Sequence, residues 1–144
     1  MKNTPKTIGA KAKTLLGFHA FADVIKYLQL PVATFQQQIN HPDYSAFKIP
    51  KKKGGFREIF APNIELKFIQ TLLNELFQAY YYTIKPSVVN GFVINPLRDA
   101  PSCNILANAS PHVGKKYVLN LDLKDFFPSI SAKRIQDLLL SPVF

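Results

Sequence analysis

Two carboxylates stand close together in the run "YVLNLDLKDFFPSIS", residues 117–131: Asp122 and, three positions on, Asp125. Extended backbone alternates its side chains, so a strand would set Tyr117, Leu119, Leu121 and Leu123 on one face and Val118, Asn120 and Asp122 on the other. Asp122 then occupies the strand's C-terminal end, where open sheets commonly carry active-site groups. Asp125 would face the opposite way if the strand continued, so the two would not chelate one ion together. An isolated aspartate at such a place is also the ordinary residue for a turn or a cap. Besides these two, the acidic residues are Asp23, Asp43, Glu58, Glu65, Glu75, Asp99 and Asp137, and no two aspartates adjoin. His112 has no titratable partner near it in sequence, and His19 and His41 read as structural.

The elements that must hold these groups follow from periodicity. Residues 1–13 are mostly Lys, Thr, Gly and Ala with no apolar period, which reads as a loose basic arm. Phe18, Phe21, Val24, Ile25 and Leu28 then recur at helical spacing until Pro31, and Val32, Phe35 and Ile39 allow a second short helix. In "YSAFKIPKKKGGFREIFAP", two short alternating runs flank Gly54-Gly55, the pattern of a β-hairpin over about 44–61. Asn63 is placed to cap a helix over about 64–81, whose stripe is Phe68, Ile69, Leu72, Leu73, Leu76, Phe77 and Tyr80. Residues 83–104 carry three prolines and no sustained period, which suggests a long connection with a short strand at Val88–Ile94. "NILANASPH" is expected to make a helical turn ending at Pro111. The strand 117–123 follows, broken by Pro128, and Ser131 caps a last helix with Ile135, Leu138 and Leu139 inward.

Composition narrows the partners. The 144 residues are 47% hydrophobic and 12% aromatic, enough for a packed core. Eighteen Lys and Arg against nine Asp and Glu leave a net charge of +9, which favours nucleic acid first and an anionic membrane surface second. A single cysteine, Cys103, excludes an internal disulfide framework and a cysteine-based zinc site. The cytosol is therefore the expected compartment. No apolar run reaches the roughly 18–20 residues that span a bilayer, and the N-terminus lacks the apolar stretch and cleavage site of a signal peptide.

The string Asp122-Leu123-Lys124-Asp125-Phe126-Phe127-Pro128-Ser129-Ile130 closely resembles the first catalytic motif of reverse transcriptases, in particular those of bacterial retrons and their group II intron relatives. Three other stretches agree in order and spacing. "YSAFKIPKKKGGFREIFAP" resembles the fingers hairpin of that family, "NIELKFIQTLLNELF" the helix after it, and Asn108-Ala109-Ser110-Pro111-His112 the Asn-Ala-X-X-His element that distinguishes retron enzymes. Together they cover roughly residues 15–140.

The resemblance implies an α+β fold: right-hand polymerase fingers with the first part of the palm, built from N-terminal helices, β-hairpin, long helix, motif strand and helix. Residues 14–112 would be the fingers-like region and 113–144 the start of a truncated palm. It implies an RNA-directed DNA polymerase that copies a structured non-coding RNA into DNA from deoxynucleoside triphosphates, with two Mg²⁺ ions in the completed active site. Asp122 would be a metal ligand, joined by the Leu123 carbonyl, and Phe127 the bulky aromatic beneath the sugar that excludes a 2′-hydroxyl. Arg57 would contact the incoming triphosphate, since a planar guanidinium binds phosphate oxygens in pairs. Lys53 beside it, with Lys51 and Lys52, would hold triphosphate or template as point charges, and Asn108, His112, Lys115 and Lys116 would contact nucleic acid.

Two features depart from the family pattern. Between Gly91-Phe92 and Asn108-Ala109 the family usually runs through Gly-Arg-Ser, whereas here "VINPLRDAPSCNILA" intervenes, and Arg98 is the expected stand-in for that arginine. The Tyr-X-Asp-Asp motif that supplies the other catalytic carboxylates is not among the 144 residues, so one carboxylate from the motif strand would face two metal ions. The expectation is a complementing C-terminal chain or another protein partner, with strand 117–123 offering an unpaired apolar edge to it. The alternatives are a non-catalytic nucleic-acid-binding module and a relative of the phage-defence or abortive-infection reverse transcriptases.

Overall fold

The computed structural model describes residues 4–91, 93–94 and 103–141. Its first element, α1 (Pro5–Leu16), replaces the loose arm expected for residues 1–13. Thr4 caps it, Oγ1 accepting from the Thr7 N–H at 3.2 Å, and Pro5 opens the first turn, where its missing N–H costs nothing. Ile8 and Ala12, four residues apart, form the buried face. With a single large apolar residue before Leu15, that face is too narrow to register as a period.

Helix α2 (Phe21–Leu28) begins after a turn. Its N-cap, Ala20, has no side-chain acceptor, and Asp23 compensates by accepting the backbone N–H groups of His19 and Ala20, each at 2.9 Å. Those two bonds, His19 first, hold the Asp23 pKa below its ordinary value. Gln29 closes α2 in the left-handed region at φ 54°, its N–H bonded to the Ile25 carbonyl. Helix α3 (Val32–Asn40) buries Phe35 and Gln38. The His41 backbone N–H bonds to Gln37 at its end, so His19 and His41 both act through the main chain, with exposed side chains.

Strands β1 (Tyr44–Pro50) and β2 (Phe56–Pro62) pair antiparallel, from Tyr44 opposite Pro62 to Pro50 opposite Phe56. Helix α4 (Ile64–Ile84) follows, longer than expected, and Asn63 caps it as anticipated, Oδ1 accepting from the Leu66 N–H at 2.8 Å. Its buried residues are Leu66, Ile69, Leu76, Ala79 and Tyr80, while Phe68 and Phe77 from the expected stripe stay largely exposed. One apolar cluster joins Ala79 to Ile8 and Ile94, and a second joins Ile69 to Leu28 and Phe35. Lys11 and Glu75 add an ion pair between α1 and α4 at 2.6 Å.

Beyond α4, the described residues of the expected strand Val88–Ile94 are turn and irregular backbone. Helix α5 (Ile105–Ala109), capped by Asn104, runs into a 3₁₀ turn at Ser110–His112. Residues 117–123 form no strand: among the described residues the sheet consists of β1 and β2, and Tyr117, Leu119, Leu121 and Leu123 are exposed. A strand is held by ladder bonds to a neighbour, and apolar alternation alone does not supply one. A 3₁₀ turn at Phe127–Ser129 precedes α6 (Ala132–Leu139), where Ser131 caps as expected. Ile135, Leu138 and Leu139 are exposed, contrary to the inward placement expected. Mixed helix and antiparallel sheet make the chain compatible with the α+β class.

Leu76 has no exposed surface, so Leu76→Ala is expected to destabilise the chain by about 2–5 kcal/mol in urea unfolding. For Asp23 the folded pKa lies below the unfolded one, so its contribution is fully present above the unfolded value of 3.8 and fades as pH falls through the folded value. The stability difference between the parent and Asp23→Asn should therefore shrink on acidification from pH ~6 to pH ~3; a constant difference would contradict it.

Candidate nucleic-acid interface

The hairpin tip brings together the residues singled out there. Register places Ile49 opposite Arg57, and residues 51–55 cross between the strands. The Gly54 N–H bonds to the Lys51 carbonyl at 3.1 Å and the Lys51 N–H to the Gly55 carbonyl at 2.9 Å. Lys52 and Lys53 thus form the bend itself, while Gly54 (φ 91°) and Gly55 (φ 78°) return the chain through conformations that a side chain resists. Ile49, Pro50, Lys51, Lys52, Lys53 and Arg57 line a concavity of about 440 Å³ with no acidic residue in its wall. Four cations around an open cavity suit a polyanion.

A second concavity, of about 420 Å³, has Lys85, Asn90, Cys103, Asn108 and His112 in its wall. Asn104 Oδ1 accepts from the Ala107 N–H at 2.8 Å, starting the turn that puts Asn108 and His112, four residues apart, on one side. Lys85 and Cys103 were not anticipated, since nothing in their spacing ties the end of α4 to the Asn-Ala-X-X-His element. Lys115 and Lys116 lie beyond this wall and are exposed, with Lys116 Nζ 5.5 Å from the Tyr117 ring centre. Arg98 lies outside the described residues.

The third concavity, of about 780 Å³, holds Asp122, Leu123, Asp125, Phe126 and Phe127 in its wall. Here the expected geometry is corrected: the chain turns at Lys124, with Asp125 at φ 51°, so alternation stops and both carboxylates line one cavity. The Ser129 N–H bonds back to the Asp125 and Phe126 carbonyls at 3.1 and 3.2 Å, and the Phe126 and Phe127 rings meet at 5.5 Å and 65°. Among the described residues, no three His, Cys, Asp or Glu side chains gather to hold a metal ion. The described residues around this cavity, with Asp122 and Asp125 as their carboxylates, offer by themselves too few donors for a Mg²⁺ pair.

No protein-family model and no solved structure matches the chain. Curated sequences do: the Retron Mx65 reverse transcriptase of Myxococcus xanthus is 37% identical over 74% of the chain. The chain resembles an N-terminal portion of retron reverse transcriptases. The Retron Ec86 reverse transcriptase of Escherichia coli is 29% identical over 78% of the chain, and the Retron Mx162 reverse transcriptase of Myxococcus xanthus 36% identical over 67%. The chain spans 22%, 34% and 18% of the lengths of these three retron reverse transcriptases. No helix among its described residues is long and apolar enough to cross a membrane.

The bend can be tested through its glycines. No atom lies within 4 Å of a Cβ added at Gly54, so the cost of Gly54→Ala is conformational rather than steric crowding. Gly54→Ala should destabilise the hairpin by about 1–2 kcal/mol, seen as faster amide exchange in β1 and β2, and Gly54→Asn by less.

Proposed function

We propose that the chain is the fingers and the beginning of the palm of a retron-type reverse transcriptase, an RNA-directed DNA polymerase that copies a structured non-coding RNA into DNA. The observation that carries this reading is the similarity to several retron reverse transcriptases across two thirds or more of the chain. The residues support it by type and place. Arg57 and Lys51–Lys53 surround one open cavity at the hairpin tip, suited to triphosphate or template. Asp122 and Phe127 share another, suited to a metal-bound nucleotide sugar, and Asn108 and His112 share a third, suited to RNA.

In this reading Asp122 supplies one ligand, with the Leu123 carbonyl beside it, and the remaining carboxylates come from a palm and thumb part bearing Tyr-X-Asp-Asp. Mg²⁺ supplies charge neutralisation of the triphosphate once that part is in place. Leu119, Leu121, Ile135 and Leu138, exposed here, are the apolar surface such a part would cover.

Primer extension on an RNA template with Mg²⁺ and deoxynucleotides tests the reading. Activity should require a complementing palm and thumb chain and fall by at least a thousandfold, about 4 kcal/mol of barrier, with Asp122→Ala. Phe127→Ala should admit ribonucleotides. Robust extension by the 144 residues alone would overturn the need for a second part, and extension unaffected by Asp122→Ala would overturn the site.

A further inference from the structure

The register of β1 and β2 sorts their side chains onto two faces. One carries Phe47, Ile49, Arg57, Ile59 and Ala61, of which Ile59 and Ala61 are half-buried. The other carries Tyr44, Phe56 and Phe60, exposed by 43%, 66% and 60%. The cross-strand neighbours on this outer face are small or flat: Ala46 opposite Phe60, Pro50 opposite Phe56. They leave the aromatic rings uncovered.

Spacing makes the three rings a track. Phe60 and Tyr44 are diagonal neighbours, about 7–8 Å apart, and Phe56 lies four residues from Phe60, about 13 Å along the strand. The Tyr44 hydroxyl accepts from Gln70 Nε2 of α4 at 2.9 Å, which fixes that end of the track to the helix. Glu58 stands between Phe56 and Phe60 on the same face, with Lys48 opposite it on β1, and Lys51–Lys53 lie just beyond Phe56.

Exposed aromatic rings in a row admit a protein partner or unpaired bases, and charge decides between them. Lysine is depleted from the cores of protein interfaces, whereas a cationic groove with interleaved aromatics is how single strands are held without sequence preference. Here one acid, Glu58, stands against Lys48 and the three lysines of the bend, in a chain of net charge +9.

We propose that the outer face of the hairpin is a single-strand binding surface, on which unpaired bases stack against Tyr44, Phe60 and Phe56 while Lys48 and the lysine bend hold the phosphates. The surface does not depend on polymerisation; it rests on the reverse-transcriptase reading only in so far as the bound strand is a template approaching the fingers.

The test uses the 144-residue chain without Mg²⁺ or nucleotides, so it reports the surface separately from any polymerase activity. Fluorescence anisotropy with labelled oligo-U and oligo-dT should show Phe60→Ala and Phe56→Ala each weakening binding about tenfold with the salt dependence unchanged. Lys52→Gln should instead lower the slope of log K against log salt by about one. Both sugars should respond alike, because every base has a π-face, and a loss confined to one of them would overturn stacking. The chain has no tryptophan, so Phe60→Trp introduces a single reporter. Its emission should be quenched by either oligonucleotide and not by inorganic polyphosphate. Unquenched emission, or full affinity in a Phe60→Ala variant that circular dichroism shows to be folded, would overturn the proposal.

Discussion

Helix α4 has to serve two apolar clusters from one cylinder, and the described structure depends on its doing so. Ala79 meets Ile8 of α1 and Ile94 in one cluster, while Ile69 meets Leu28 of α2 and Phe35 of α3 in the other. At 5.4 Å per turn a 21-residue helix has room for both, one near each end. Its start is tied by Asn63: the side chain accepts from Leu66 and donates to Gln38 Oε1 at 3.1 Å, and the backbone N–H donates to the Asp43 carbonyl at 3.0 Å. Buried Gln38 thereby has the partner that a polar group out of water requires. The base of the hairpin, α3 and α4 meet at this one residue.

That anchoring explains where the charged and reactive groups sit. The hairpin is held at its base and free at its tip, so Lys51, Lys52 and Lys53 keep their hydration while sharing a cavity with Arg57. Cations gathered this way repel one another weakly in water and bind a polyanion with counterion release. The segment from 105 to 141 is the reverse case. Ile105, Leu119, Leu121, Ile135 and Leu138 remain exposed, an apolar surface of the kind that marks an interface rather than a finished exterior. The same segment carries Asp122 and Phe127, so the exposed apolar surface and the candidate site residues fall in one place.

Much of the fold was legible where the information is local. The Asn63 and Ser131 caps, the hairpin around Gly54-Gly55 and the helix after it follow from turn and capping chemistry acting within a few residues. The readings that failed needed a partner distant in sequence. Helix α1 looks like a basic arm until Glu75 and Ala79 are there to receive Lys11 and Ile8. Residues 117–123 alternate like a strand and yet have no neighbour to pair with among the described residues.

The candidate site divides along the same line. Sequence by itself determined which side chains were candidates for the chemistry, Asp122, Phe127, Arg57 and the three lysines, because motif order and residue type are properties of the chain alone. Tertiary structure decided what stands beside what: that Asp122 and Asp125 line one cavity, that Lys85 and Cys103 join Asn108 and His112, and that Tyr44, Phe56 and Phe60 share an outer face. Those juxtapositions depend on backbone turns such as the positive φ at Asp125 and on strand register, which a pattern of residue types leaves open.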